Sequence, residues 1–496
     1  MTTEPNGQGK VSASNETDGP PYTRPLAKPA VWGWMSFDLA AQPFFTVILT
    51  FVFGPYFVSE LASDPASGQT AWSLAATIAG LTVAILSPVL GSIADRAGPR
   101  KPWIATFACL KVAALLAIWP LAAPGSALIP VIAAIVLAQV AAEFSIVFND
   151  AMLPRLVAAP AIGRVSNVAW GLGYAGGIIF LVFALGLLAA SPETGRTLLG
   201  LTPLFGLDPA QGEGARATGP LAAIWYVLFL LPLLFLTPDR PRAEPISRAV
   251  ASGLSDLKAT AGEIRRRTEL LKFFIARMIY QDGVNALLVL GGAFAAAMFG
   301  WSIVEIGLFG IILNLTAIPG CLVASSLDAR LGSKAIVAGA VTLLTIATLG
   351  LVSTSPEATL FGLLPFAPAS DGGLFASGAE KAYVAWGLLV GLAFGPVQAS
   401  SRSWLAQSVT PDEAGRYFGF YALIGRATSF LAPASVAGLT AIAAGMTDPV
   451  TASRVGMSAL IAFFVAGLAL LLVTKGPTRG RERASTDQAA GLKSGS

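Results

Sequence analysis

The sequence predicts an all-α membrane protein whose twelve transmembrane helices form two six-helix bundles. Three observations lead there: a chain poor in charge, twelve apolar stretches of spanning length, and basic loops that alternate in register with those stretches. Of 496 residues, 54% are hydrophobic and only 12% charged, with a mean hydropathy of +0.69. A soluble domain carries roughly 25% charged residues. A larger core does not explain the deficit, because a soluble surface still needs polar cover. Lipid is the solvent for much of this chain.

The first thirty residues are rich in Pro, Gly, Ser and Thr and contain no apolar h-region. They read as a disordered cytoplasmic tail rather than a signal peptide, and residues 475–496 read the same way. Between the tails, apolar segments run over 31–58, 71–94, 103–123, 128–150, 165–190 and 220–236. The second set covers 270–299, 303–327, 335–352, 382–405, 417–442 and 455–473. About 20 residues at 1.5 Å rise cross the hydrocarbon, and without water to satisfy the amides each segment must be helical. The sixth and ninth are short. The division is therefore an N-terminal bundle over 31–237, a cytoplasmic linker over 238–269 and a C-terminal bundle over 270–474.

Orientation follows from the basic residues. Arg96, Arg100 and Lys101 follow the second segment, Arg155 and Arg164 the fourth, and Arg240 to Lys272 crowd the linker. Arg330, Lys334, Arg402 and Arg416 mark later loops of that side, whereas the other side holds Arg196, Arg216, Lys381 and Arg454. Both termini and the linker are expected in the cytoplasm.

The halves echo each other. WGWMSFDLAAQPFF in the first segment and FIARMIYQDGVNALL in the seventh each carry an Asp followed by an amide, Gln42 or Asn285. GSIADRAGPRK after the second segment is matched by SSLDARLGSK after the eighth. Gly163-Arg164 and Gly415-Arg416 open the fifth and eleventh. Parallel repeats of this kind are common in transporters.

Within that echo, Gly91, Asp95, Arg96, Gly98, Arg100 and Lys101 resemble the G-x-x-x-D-R-x-G-x-R-K signature of the major facilitator superfamily. Gly91 permits close helix approach, Gly98 a tight turn, and the cations sit at the anionic membrane surface. The resemblance implies the major facilitator fold, with Asp95 acting as a conformational latch on the N-terminal end of helix eleven, where the helix dipole favours an anion. Further stretches, among them FNDAMLPRL, GRVSNVAWGLGYAGG and VQASSRSWLAQSVTP, resemble the branch of autophagy-related vacuolar effluxers and their bacterial relatives. That resemblance implies efflux, of amino acids as in the fungal members, and a bacterial plasma membrane. Leu39, Ala41 and Gln42 depart from the branch in the first segment.

Charges inside the segments are the sharpest functional candidates, since each costs about 2.5–3.5 kcal/mol at a helix centre. They are Asp38, Lys111, Glu143, Arg277, Asp282 and Arg426, with Asp150 at a helix end. Lys111 and Glu143 lie on the order of 10–12 Å deep on adjacent antiparallel helices, so they are expected to pair. Asp282 and Arg426 are expected to form a second pair, because helices seven and eleven are neighbours in the major facilitator arrangement. A buried pair can also serve packing alone. Asp38 and Asp282, on helices that line the cavity of that fold, are expected to bind solute or to take up and release a proton. Of the membrane amides, Gln42, Asn285 and Gln398 are the preferred solute contacts. The G-x-G-x-x-G letters at Gly171, Gly173 and Gly176 lack a preceding strand and read as close helix packing.

The chain has no histidine, so imidazole relays, His-bound metal and Ser-His-Asp catalysis are excluded. No Walker motif is present, and the linker is too short for a nucleotide-binding domain. An enzyme is not expected, nor a cofactor, a metal or a nucleic-acid partner; a small-molecule solute, membrane lipid and protons are. The reading is a secondary transporter working by alternating access. The alternative is a receptor or scaffold of the same fold that does not transport.

Overall fold

The computed structural model describes residues 28–191, 194–367 and 373–477. The expected tails lie almost wholly outside these residues. Among the described residues, twelve helices are long and apolar enough to cross a membrane: spans 1–6 are Lys28–Leu61, Pro65–Ala97, Lys101–Leu121, Leu128–Leu156, Ala159–Leu188 and Glu213–Leu236. Spans 7–12 are Thr268–Phe299, Val304–Leu331, Ser333–Ser353, Gly378–Ser408, Ala414–Ala444 and Pro449–Val473. Most outrun the predicted segments, because a helix continues through the headgroup zone where its sequence is already polar. The linker also folds: Ile246–Arg266 is an amphipathic helix tied to span 2 by Arg96 on Asp256 at 2.8 Å.

Large apolar side chains such as Leu81, Ile224, Val289 and Leu472 are exposed, whereas Asp150, Asp282 and Arg402 are buried. This inversion of the soluble pattern is what a lipid solvent demands. Two basic residues assigned to loops belong inside. Arg216 is buried in span 6 and donates to the Trp119 carbonyl at 2.7 Å, and Arg402 lies in span 10. Arg216 read as loop because apolar character, not helicity, set the expected start of its segment, whereas Arg402 fell inside its segment and was counted with the loop cations all the same.

Among the described residues, three spans are interrupted. Span 1 passes into π-helical turns over Phe44–Phe51, just after Pro43, and span 5 does so over Ala184–Leu188. Span 11 breaks between Ala427 and Leu431 into two fourteen-residue helices. Glycines set the closest approaches. A Cβ on Gly91 would lie 2.2 Å from the Gly415 carbonyl oxygen, joining spans 2 and 11, and Gly391 and Gly395 of span 10 lie against span 8 in the same way. Gly173 and Gly177 lie against span 1, the packing use expected of that glycine run.

Candidate functional site

Polar contacts that cross between the bundles gather toward the face bearing Lys28, Lys475 and the linker helix, here called the basic face. Their centre is Arg402, 3% exposed. Its guanidinium donates to Asp38 Oδ2 at 3.0 Å, to Asp150 Oδ1 at 2.9 Å and to Ser166 Oγ at 2.8 Å. It also stacks over the Trp34 ring at 4.9 Å, and Trp34 is itself held by the Asn149 carbonyl at 2.8 Å. Spans 1, 4, 5 and 10 thus meet on one cation. Two carboxylates share this one guanidinium, and buried Arg277 lies close enough to act on Asp150 as a second cation. Nearby, Ser166 Oγ and Asn167 donate to Ala399 O and Ser400 Oγ of span 10 at 2.8 and 2.9 Å.

A second charged link crosses deeper in the membrane. Arg426 of span 11 pairs with Glu143 of span 4, their side chains 27% and 17% exposed. This replaces both expected pairs. Lys111 does not meet Glu143; it is buried, with its ammonium 3.8 Å from the Tyr226 ring centroid and 5.0 Å from that of Phe44. Its Nζ has no hydrogen-bond partner among the described residues. Asp282 does not meet Arg426 either. Its Oδ2 accepts the Ala432 N–H at 3.0 Å, capping the second half of span 11, where the break frees amides that an unbroken helix would have consumed. Arg277 lies 3.5 Å from the Tyr421 ring centroid and donates to the Tyr421 carbonyl at 3.3 Å. The expected partners failed for one reason: helix rotation, not depth, decides which face a charge presents.

The amide candidates are dispersed. Gln42 reaches Thr46 of its own helix at 3.5 Å, and Asn285 accepts from Gln281 at 2.9 Å. Gln398 is half-buried. Only Asp38, of the six solute or proton candidates, joins the Arg402 cluster. Arg402 itself was discernible, because the segment 382–405 contains it; it was passed over as a loop cation. The break in span 11 also left a trace in Pro433, the third residue of the resumed helix, where a missing N–H is tolerated.

The motif after span 2 closes the same face. Asp95 accepts the Gly415 and Arg416 N–H groups at 2.9 and 2.8 Å at the start of span 11, and is paired with buried Arg100. Arg96 holds the linker helix, Gly98 takes φ +101°, and Lys101 Nζ donates to the Leu234 carbonyl at the end of span 6 at 2.8 Å. Below this lies Glu413, in the turn before span 11. Burial alone would raise its carboxyl, but bonds from Arg267, the Thr410 N–H and Arg416 more than offset that and hold it below its ordinary value. Arg267 grips it with two bonds of 3.1 Å.

Among the described residues, no group of three or more His, Cys, Asp or Glu side chains is placed to hold a metal. The arrangement is one of charged links across a helical interface, able to be made and broken.

Comparison with known proteins agrees with this architecture. Residues 160–485 match the family model "Vacuole effluxer Atg22 like". The chain is 26% identical over 446 residues to the uncharacterized MFS-type transporter YxiO of Bacillus subtilis, covering 88% of this chain and 93% of that one. It is 22% identical over 291 residues to autophagy-related protein 22-2 of Aspergillus clavatus, covering 56% of this chain but only 43% of the fungal protein. Among solved structures, the human organic anion transporter MFSD10 superposes with a TM-score of 0.61 at 16% identity, covering 90% of this chain and all of that one. FucP in the outward conformation gives 0.62 at 14% identity, covering 89% and 98%. At these identities the structural likeness shows the fold.

Proposed function

Because the chain belongs to the Atg22-like vacuole effluxer family of major facilitator transporters, we propose that it exports a small polar solute of the amino-acid class in exchange for protons. It is an integral multi-pass transporter, not an enzyme. In this reading the basic face is cytoplasmic, the membrane is a bacterial plasma membrane, and residues 31–237 and 270–474 rock about the interface, joined by 238–269.

The observation that carries the coupling is the Asp38–Arg402–Asp150 cluster, in which two carboxylates share one guanidinium inside a low-dielectric interface. A buried carboxylate that shares its hydrogen-bonding cation with another is costly to keep charged, and a proton is the smallest species that neutralises it. Protonating one carboxylate also removes an acceptor from Arg402, which ties span 10 to spans 1 and 4. The deprotonated cluster therefore favours the closed basic face, and proton uptake favours opening it. A ligand shifts such an equilibrium only by its differential affinity for the two states, and here the differential contact is a named ion pair. Glu143 and Arg426, partly exposed between the bundles, offer an acid and a base to a zwitterionic solute, and Lys111, Arg277, Gln42, Asp282, Asn285 and Gln398 shape the surrounding polarity. Asp95 and its motif act as the latch of the closed face.

The test is flux in reconstituted vesicles preloaded with an amino-acid mixture under an imposed pH gradient. Efflux driven by protons entering the vesicle is expected, and Asp150→Asn is expected to retain exchange while losing its dependence on the gradient. Flux indifferent to the gradient in the natural protein overturns the coupling. No flux of any amino acid overturns the solute class, and no flux of any solute points to a receptor or scaffold.

A further inference from the structure

We propose that an apolar groove between the linker helix and spans 7 and 11 is a binding site for an anionic phospholipid, independent of the solute pathway. The groove has a volume of about 210 Å³ and is walled by Ile264, Leu271, Phe274, Met278, Phe420 and Ile424. Ile275 on its rim is 38% exposed, so it opens sideways to lipid. Met278 lies seven residues beyond Leu271, roughly 10 Å further along the helix axis. The groove thus runs from the headgroup level into the hydrocarbon, the path of an acyl chain.

Charge at its mouth selects the headgroup. Arg265 and Arg266 follow the wall residue Ile264 directly, in the last turn of the linker helix, and both are exposed. Neither makes an ion pair or side-chain hydrogen bond among the described residues, in contrast to Arg267, which is held by Glu263 and Glu413. The neighbouring acids are occupied: Glu263 also holds Arg416, and Glu269 holds Lys272 at 3.0 Å. Two uncommitted guanidiniums beside an apolar groove on the basic face match a phosphate attached to an acyl chain. A free phosphate would leave the groove empty, and a zwitterionic lipid would leave net charge at the mouth.

The site also bears on closure. The linker helix forms one wall, and its Glu263 binds Arg416, the residue whose N–H donates to Asp95. A lipid bridging the linker helix to spans 7 and 11 would steady the latch from outside.

Native mass spectrometry of the full chain from micelles containing equal phosphatidylglycerol and phosphatidylcholine tests this. Retention of phosphatidylglycerol is expected to exceed that of phosphatidylcholine by about 30-fold, given two surface cations. Arg265→Gln with Arg266→Gln should abolish the preference, whereas the paired control Arg242→Gln with Arg248→Gln, on exposed cations away from the groove, should keep it. Met278→Trp, which fills the groove and leaves the cations, should reduce retention of either lipid. Equal retention of both lipids by the natural protein overturns the proposal, as does an undiminished preference in the Arg265/Arg266 variant. Should that variant fail to fold, unchanged retention in Met278→Trp overturns it instead.

Discussion

The two halves of the molecule carry the same device built from different chemistry. Asp95 at the end of span 2 faces Gly415 at the start of span 11, and Asp328 at the end of span 8 faces Gly163 at the start of span 5; in each case a Cβ on the glycine would strike the carboxylate. Five residues after each Asp stands its local donor, Arg100 in the first half and Ser333 in the second. One residue later a lysine binds the end of a helix, Lys101 on Leu234 O and Lys334 on Leu472 O at 2.8 and 2.9 Å, as the helix dipole favours. The difference lies in the acceptor's company. Asp95 takes two backbone N–H groups and a buried guanidinium, whereas Asp328 takes the hydroxyls of Ser333 and Ser400 at 2.9 and 2.8 Å. One latch is ionic and the other is neutral in its donors. The ionic one is the harder to dismantle and the more dependent on its exact partner.

That contrast can be broken at its strongest point first. Asp95→Ala strands buried Arg100, and removing one member of a buried pair costs about 3–5 kcal/mol. The expected result is a collapse of the closed population, measured by distance distributions between spin labels on the basic ends of spans 2 and 11. A fall in melting temperature no larger than that of the Asp328 variant below would erase the distinction.

A smaller effect separates the two latches by pH. Glu413 supports the start of span 11, and the equivalent place two residues before Gly163 is Ala161. Because its folded-state carboxyl is held below its ordinary value, the stabilisation is complete above the unfolded value, near 4.3, and is lost as pH falls through the folded one. Hydrogen bonds to a charged group contribute about 1.5–3 kcal/mol, so Glu413→Gln is expected to lower the melting temperature at neutral pH and to flatten its acid decline. Parallel curves for the two proteins would contradict this. The smallest effect is expected from Asp328→Asn. It strands no cation and keeps an acceptor for one serine, so the loss should be at most about 1 kcal/mol in the same melting experiment.

The legible and illegible parts of the site divide along one physical line. The latch motif was readable because its members lie within eleven consecutive residues, although two of Asp95's three donors, the Gly415 and Arg416 N–H groups, come from the other bundle. Arg402 and Asp38 stand 364 positions apart, and Glu143 and Arg426 belong to different bundles, so no local pattern links them. Depth placed Lys111 beside Glu143 and Asp282 beside Arg426, yet each helix was turned so that Lys111 faces aromatic rings and Asp282 faces a broken helix end.

By itself the sequence determined the number of spans, their helical nature and the echo between the Asp-bearing turns of the two halves. Lipid leaves no other way to satisfy the backbone, and apolar length is a one-dimensional property. Only the tertiary structure decided which charges meet, where span 11 breaks, and that Arg402 is the hub. Those outcomes depend on the rotation of each helix about its own axis, which neighbouring helices set and hydropathy does not record.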